Sequence, residues 1–195
     1  HHNHGNSVMR PTISKTARTW NTAAKSFDGT NDYLIKATLN NMESMKYTWS
    51  IWFKPDSTGG STDYLIEFGN NAQYLHYNFT SEIITFSHSG TSAGTWTSPS
   101  NKITEDAWNH VAISYDATST STTPLMCING ESVTPIQTSA PAGLLAIGTS
   151  LNIGRKATGA YYFKGSIDDV AIFNRNLDTK ELQLLYKPLY AHTEG

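Results

Sequence analysis

The chain has 195 residues, a length that suits one domain able to bury its core without disulfides or a structural metal. Its 14 Lys+Arg against 16 Asp+Glu give a net charge of −2, which excludes the basic balance of a nucleic-acid or anionic-membrane binder. Only 15% of residues are charged, whereas Ser, Thr and Asn together fill 60 positions. Thr favours strands, Ser and Asn favour turns, and all three disfavour helix interiors, so composition points to an all-β domain with a neutral, hydroxyl-rich surface.

Cys127 is the one cysteine, so no intrachain disulfide forms, and it has no zinc-type spacing with the histidines. No apolar run approaches the ~20 residues that span a bilayer, and no membrane insertion is expected. Residues 1–25 read as an extended polar arm; those ahead of Met9, including His1, His2 and His4, read as a tag or a processing remnant. From Ser26 onward, short alternating runs are each closed by Gly, Asn, Asp or Pro. Tyr47, Trp49, Ile51 and Phe53 alternate with Thr48, Ser50, Trp52 and Lys54 before Pro55-Asp56 ends the run. Further strands are expected at 63–68, 73–79, 82–87, 109–115, 125–128, 151–153 and 166–173, spaced as in an antiparallel sandwich or barrel. Asn129-Gly130 between two apolar runs signals a hairpin, and the Thr/Ser stretch at 118–123 reads as a mobile loop. One helix is expected over 178–186: Asp178 caps it, Glu181 stands three residues on, Leu177 and Leu182 staple it, and Pro188 stops it. It is too short to stand alone and should dock on the sandwich.

Several stretches together resemble the laminin-G-like, concanavalin-A-like jelly-roll domains. Ser26-Phe27-Asp28-Gly29-Thr30-Asn31-Asp32-Tyr33-Leu34 is similar to their opening strand, and Tyr47-Thr48-Trp49-Ser50-Ile51-Trp52-Phe53-Lys54-Pro55 to the aromatic strand that follows. Trp108-Asn109-His110-Val111-Ala112-Ile113-Ser114-Tyr115-Asp116 resembles their W-x-H-V-A-x-x-Y-D run, and Ile128-Asn129-Gly130 their hairpin. The run from Phe163 to Arg175, followed by the capped helix, resembles the closing strand and helix. The resemblance covers roughly residues 26–187 in the family's order and implies an antiparallel β-sandwich (jelly roll) with one short C-terminal helix.

Catalysis is not expected. Jelly-roll glucanases use carboxylates two apart on one strand, whereas Asp168-Asp169 and Glu105-Asp106 are adjacent pairs. Gly90-Thr91-Ser92-Ala93-Gly94 matches a nucleophile elbow by letters, but that motif works only at a strand-to-helix turn of an α/β sheet. Asp28, Asn31 and Asp32 cluster on the first turn, and Asp168 lies on the closing strand. If first and last strands are neighbours, these oxygens can converge on calcium; otherwise Asp28 and Asn31 simply make turn hydrogen bonds. The resemblance implies a structural calcium held by Asp28, Asn31 and Asp168.

For ligand binding, Trp52 faces away from its alternating neighbours, and Tyr74, His76, Tyr77 and Trp96 add aromatic surface, Trp96 within a Ser/Thr/Gly loop. Exposed rings stack on sugars while Asn, Ser and Thr bond hydroxyls without charge, so Trp52, Tyr74, His76 and Trp96 are the expected ligand residues. With few charges, affinity should depend little on salt. The expectation is therefore an arm over 1–25, a jelly-roll domain over 26–188 and a tail over 189–195. Its expected role is non-catalytic recognition of a glycan or cell-surface polysaccharide outside a cell. The alternative is a structural, decoration or adhesion protein on a virion surface, self-assembling or tethered through the arm.

Overall fold

The computed structural model describes residues 24–39, 45–69, 73–144, 146–148 and 150–186; residues 1–23 of the arm expected over 1–25 and the tail expected over 189–195 lie outside the described residues, while Lys25 already belongs to the first strand. In chain order the strands are β1 (Lys25–Asp28), β2 (Leu34–Lys36), β3 (Lys46–Pro55), β4 (Thr62–Phe68), β5 (Gln73–Asn78), β6 (Ile83–His88) and β7 (Gly94–Thr97). They continue as β8 (Asn109–Asp116), β9 (Leu125–Ile128), β10 (Glu131–Val133), β11 (Ile136–Ser139), β12 (Leu151–Ile153) and β13 (Lys164–Phe173), followed by helix α1 (Thr179–Tyr186). A six-stranded sheet runs β1-β13-β3-β8-β9-β10 and a seven-stranded sheet runs β11-β7-β6-β5-β4-β12-β2, all pairs antiparallel. This is the expected β-sandwich.

The two sheets bury one continuous core. β3 contributes Tyr47, Trp49, Ile51 and Phe53, and the facing sheet contributes Phe68, Leu75, Tyr77 and Phe86. Trp49 stacks on Phe68 at 5.1 Å and meets Phe86 edge-on at 5.6 Å, an interlocked aromatic centre. Asn129 and Gly130 both have positive φ (50° and 81°), which is the two-residue primed turn that joins β9 to β10.

Two expectations change. The opening stretch 26–34 is two strands in different sheets: β1 pairs with β13, β2 pairs with β12, and the turn between them begins at Gly29 with φ +79°. A Cβ at that φ would be strained, so glycine makes the break possible. Trp96, expected exposed in a loop, is fully buried on β7. Its register partner Phe86 points inward, and Trp96 therefore points inward too, 5.8 Å from Phe86 and 5.1 Å from Tyr115. Gly94 leaves the space the indole occupies, since a Cβ there would lie 2.4 Å from the ring.

The outer face of the six-stranded sheet is covered by the C-terminal segment. Asp178 Oδ1 accepts from Glu181 N–H at 2.8 Å and Asp178 N–H donates to Glu181 Oε2 at 2.9 Å, a reciprocal capping box. Leu177 and Leu182 bury against Ala112 and Cys127. Leu177 N–H donates to Thr48 Oγ1 and Ser114 Oγ at 3.0 Å each, so the chain entering α1 is pinned by hydroxyls of the sheet. Trp52 does face outward, as alternation requires, but its ring lies against Tyr186 at 5.3 Å and His110 at 5.1 Å and is half-buried rather than bare.

Candidate functional site

The outer face of the seven-stranded sheet carries no helix among the described residues. On β5, Leu75 and Tyr77 point to the core, which turns Tyr74 and His76 outward. Register then lines up Tyr64, His76, Thr85 and Thr97 in one row, and Asn152, Glu67, Tyr74, Ser87 and Thr95 in the next. Tyr64 and Glu67 are three apart yet share this face because β4 bulges between Tyr64 and Ile66.

Tyr64, Tyr74 and His76 form a ring cluster with centroids 5.1–5.4 Å apart. Tyr161, 51% exposed, extends it from the loop between β12 and β13, 5.8 Å from Tyr64. That loop is fastened to the face: Tyr64 N–H donates to Tyr161 O at 3.2 Å, and Ala157 N–H donates to Glu67 Oε2. Lys156 Nζ sits over the Tyr64 and Tyr161 rings at 5.7 and 5.5 Å, and the Arg155 guanidinium lies 3.3 Å above Tyr33. Burial, with Lys156 adding to it, pushes the His76 imidazole down to about 4, so it is neutral near pH 7. Burial also raises the Tyr64 hydroxyl above its ordinary range, with smaller contributions from Tyr74, Glu67 and Tyr161.

Beside this face a cleft of about 390 Å³ opens between the turn after β1 and the loop before β4. Tyr161 stands between face and cleft. At the cleft lies Asp63, whose buried carboxyl accepts from Lys164 N–H at 3.0 Å. Burial raises this carboxyl to about 6, against a lowering by that hydrogen bond.

The four expected ligand residues are scattered. Tyr74 and His76 share the open face, Trp52 lies under α1, and Trp96, with no exposed surface, has nothing to offer a ligand. The chemistry of the open face also draws on Tyr64, Glu67, Lys156 and Tyr161, which the sequence reading did not select. No local pattern marks the bulge that turns Tyr64 outward or the loop that brings Tyr161 back onto the sheet.

The expected calcium oxygens do not converge. β1 does neighbour β13, but Asp28 pairs with Lys164, four residues from Asp168, about 13 Å along a strand. Asp28 Oδ1 instead accepts from Thr30 N–H at 2.8 Å and Asn31 N–H at 3.3 Å, which holds its carboxyl below the ordinary value. Asp168 Oδ1 accepts from Asp169 N–H at 2.9 Å. Among the described residues no three His, Cys, Asp or Glu side chains are grouped to hold a metal. Asp28, Asn31 and Asp168 therefore do not fit one shared ion.

Ser92 of the elbow-like run is exposed and its backbone pairs with Ala142 on the way into β7, with no helix following. Of the strand residues on the open face, Glu67 is the one carboxylate, and its Oε2 is engaged by Ala157 N–H.

No curated protein sequence matches the chain. Among solved structures it is similar to the CBM40 of a Ruminococcus gnavus IT-sialidase bound to α2,3-sialyllactose, with a TM-score of 0.63 and 17% identity over 84% of this chain and 96% of that one. It is also similar to an SAP-like pentraxin of Limulus polyphemus (TM-score 0.56, 15% identity, 83% and 80% covered). A putative carbohydrate-binding protein of Bacteroides ovatus matches at TM-score 0.62 and 16% identity, over 82% of this chain and 45% of that one. At these identities the likeness establishes the fold. A laminin G-type family model described as the concanavalin A-like lectin/glucanases superfamily matches residues 28–183, and the chain belongs to that superfamily.

Proposed function

We propose that the domain is a non-catalytic carbohydrate-binding module that acts outside a cell and takes its ligand on the outer face of the seven-stranded sheet. The observation that carries this reading is the Tyr74–His76–Tyr161 cluster around the buried Tyr64 ring, set beside the half-buried Thr95 and Thr97 on a sheet face that carries no helix among the described residues. Ring faces bind the C–H faces of pyranoses, and short hydroxyls exchange hydrogen bonds with sugar hydroxyls without a desolvated charge. The superfamily membership and the carbohydrate-binding neighbours support the same reading. A single engaged carboxylate on the face supports binding rather than hydrolysis, because glycoside cleavage uses a pair.

Retention on a glycan array tests it. Tyr161→Ala and Tyr74→Ala should each weaken binding by about 1–2 kcal/mol through lost ring contact, and Tyr161→Ala should leave the melting temperature unchanged. Retention that survives both changes places the ligand elsewhere.

A further inference from the structure

The two cations of the loop between β12 and β13 are held differently from the four that form ion pairs among the described residues. Lys46, Lys102, Lys164 and Arg175 each have a carboxylate partner, Asp116, Glu131, Asp56 and Glu181 respectively, at 2.7–3.9 Å. Lys156 and Arg155 instead rest on tyrosine rings, and among the described residues neither has a carboxylate at ion-pair distance. Arg155 is further committed, since its Nε donates to Asn152 Oδ1 at 3.4 Å. Of these two, Lys156 is the one whose side chain makes no hydrogen bond among the described residues.

We infer that Lys156 forms an anionic subsite of the open face, and that the ligand is an acidic saccharide whose negative group meets Lys156 Nζ while its ring stacks on Tyr161. This rests on the proposed glycan-binding role of the same face and narrows it to a substrate class. A half-buried ammonium resting over the edge of two adjacent rings has no protein counter-ion among the described residues, so a ligand anion can supply that partner. The nearby carboxylate Glu67 lies fully buried beneath the loop with Oε2 occupied by Ala157 N–H, and it offers no competing exposed negative charge. His76 is neutral near pH 7, so the charge that selects the ligand is that of the loop cations. Lysine acts as a point charge and accepts a carboxylate or a sulfate alike.

An array of neutral, carboxylated and sulfated glycans, probed with the whole chain, separates the outcomes. Acidic glycans should be retained about tenfold more strongly than their neutral counterparts, as one charge-assisted hydrogen bond implies. Lys156→Met should remove that preference, and Lys156→Arg should preserve it. The preference should shrink as salt rises, a departure from the salt-independent binding that overall composition suggests. Carboxylated against sulfated spots distinguish the two anion sources. Neutral glycans retained with no acidic preference, or a preference that persists in Lys156→Met, overturn the inference while the binding role stands. No retention of any glycan overturns both.

Discussion

The two outer faces of the sandwich arise from the same strand alternation and meet opposite fates. The six-stranded sheet presents small side chains there, Thr48, Ala112, Ser114 and Cys127, under the start of α1, and the Trp52 and His110 rings against Tyr186 at its end. The hydroxyls among them satisfy the N–H of Leu177 where no helix or sheet partner is available, so the helix is fastened as well as buried. The seven-stranded sheet presents Tyr64, Tyr74 and His76, tall rings beside a low bed of Thr and Ser. No helix lies over that relief among the described residues, and the loop between β12 and β13 covers one margin instead. An aromatic residue that faces outward thus means little until it is known what lies over its sheet.

Trp96 gives the largest effect that tests this division. Because its indole lies between the sheets with Phe86 and Tyr115, Trp96→Ala should cost about 3–5 kcal/mol, as Trp49→Ala should. Urea unfolding of both variants measures it. A loss below about 1 kcal/mol for Trp96→Ala would return that ring to the surface and reopen the edge at β7 as a ligand site.

Fold and site were unequally legible from the chain. The alternation of Tyr47, Trp49, Ile51 and Phe53, the Asn129-Gly130 turn and the Asp178–Glu181 box are local signals, and local signals survive into the structure. Ser, Thr and Gly around Trp96 look like a loop, although Thr95-Trp96-Thr97 alternates as an edge-proximal strand does. Trp52 was assigned to the correct face, but its cover comes from Tyr186, more than a hundred residues later. The calcium expectation turns on register: β1 does neighbour β13, but the offset between Asp28 and Asp168 is set by pairing and not by composition.

The covered face is tested through its helix. Leu182 is the buried residue of α1, and Leu182→Ala should cost about 2–4 kcal/mol. The Trp52 indole resonance should shift toward its solvent-exposed position as Tyr186 loosens, while the far-ultraviolet β signature stays. Glycan retention should not change, because the open face belongs to the other sheet. Retention lost together with the helix would mean that the ligand lies over Trp52 after all.

The smallest effect comes from the half-buried His76 on the open face and the buried Asp63 beside it, and they oppose one another. His76 has its folded value lowered to about 4 from 6.5, so the unfolded chain binds the extra proton between those values. Its contribution to stability is present above about pH 6.5 and is lost as pH falls toward 4. Asp63 has its folded value raised to about 6 from 3.8, so here the folded state binds the extra proton. That contribution is present below about pH 4 and is lost as pH rises through 6. Between pH 4 and 6 the two slopes largely cancel in the native sequence. Asp63→Asn should leave stability rising with pH across this window, and His76→Gln should leave it falling. After discounting for the part exposure of His76, each swing should be about 1–2 kcal/mol. Urea midpoints at the two ends of the window read both slopes. If the Asp63→Asn midpoint does not rise across the window, His76 is solvated, and the open face is wetter and looser than its ring packing requires.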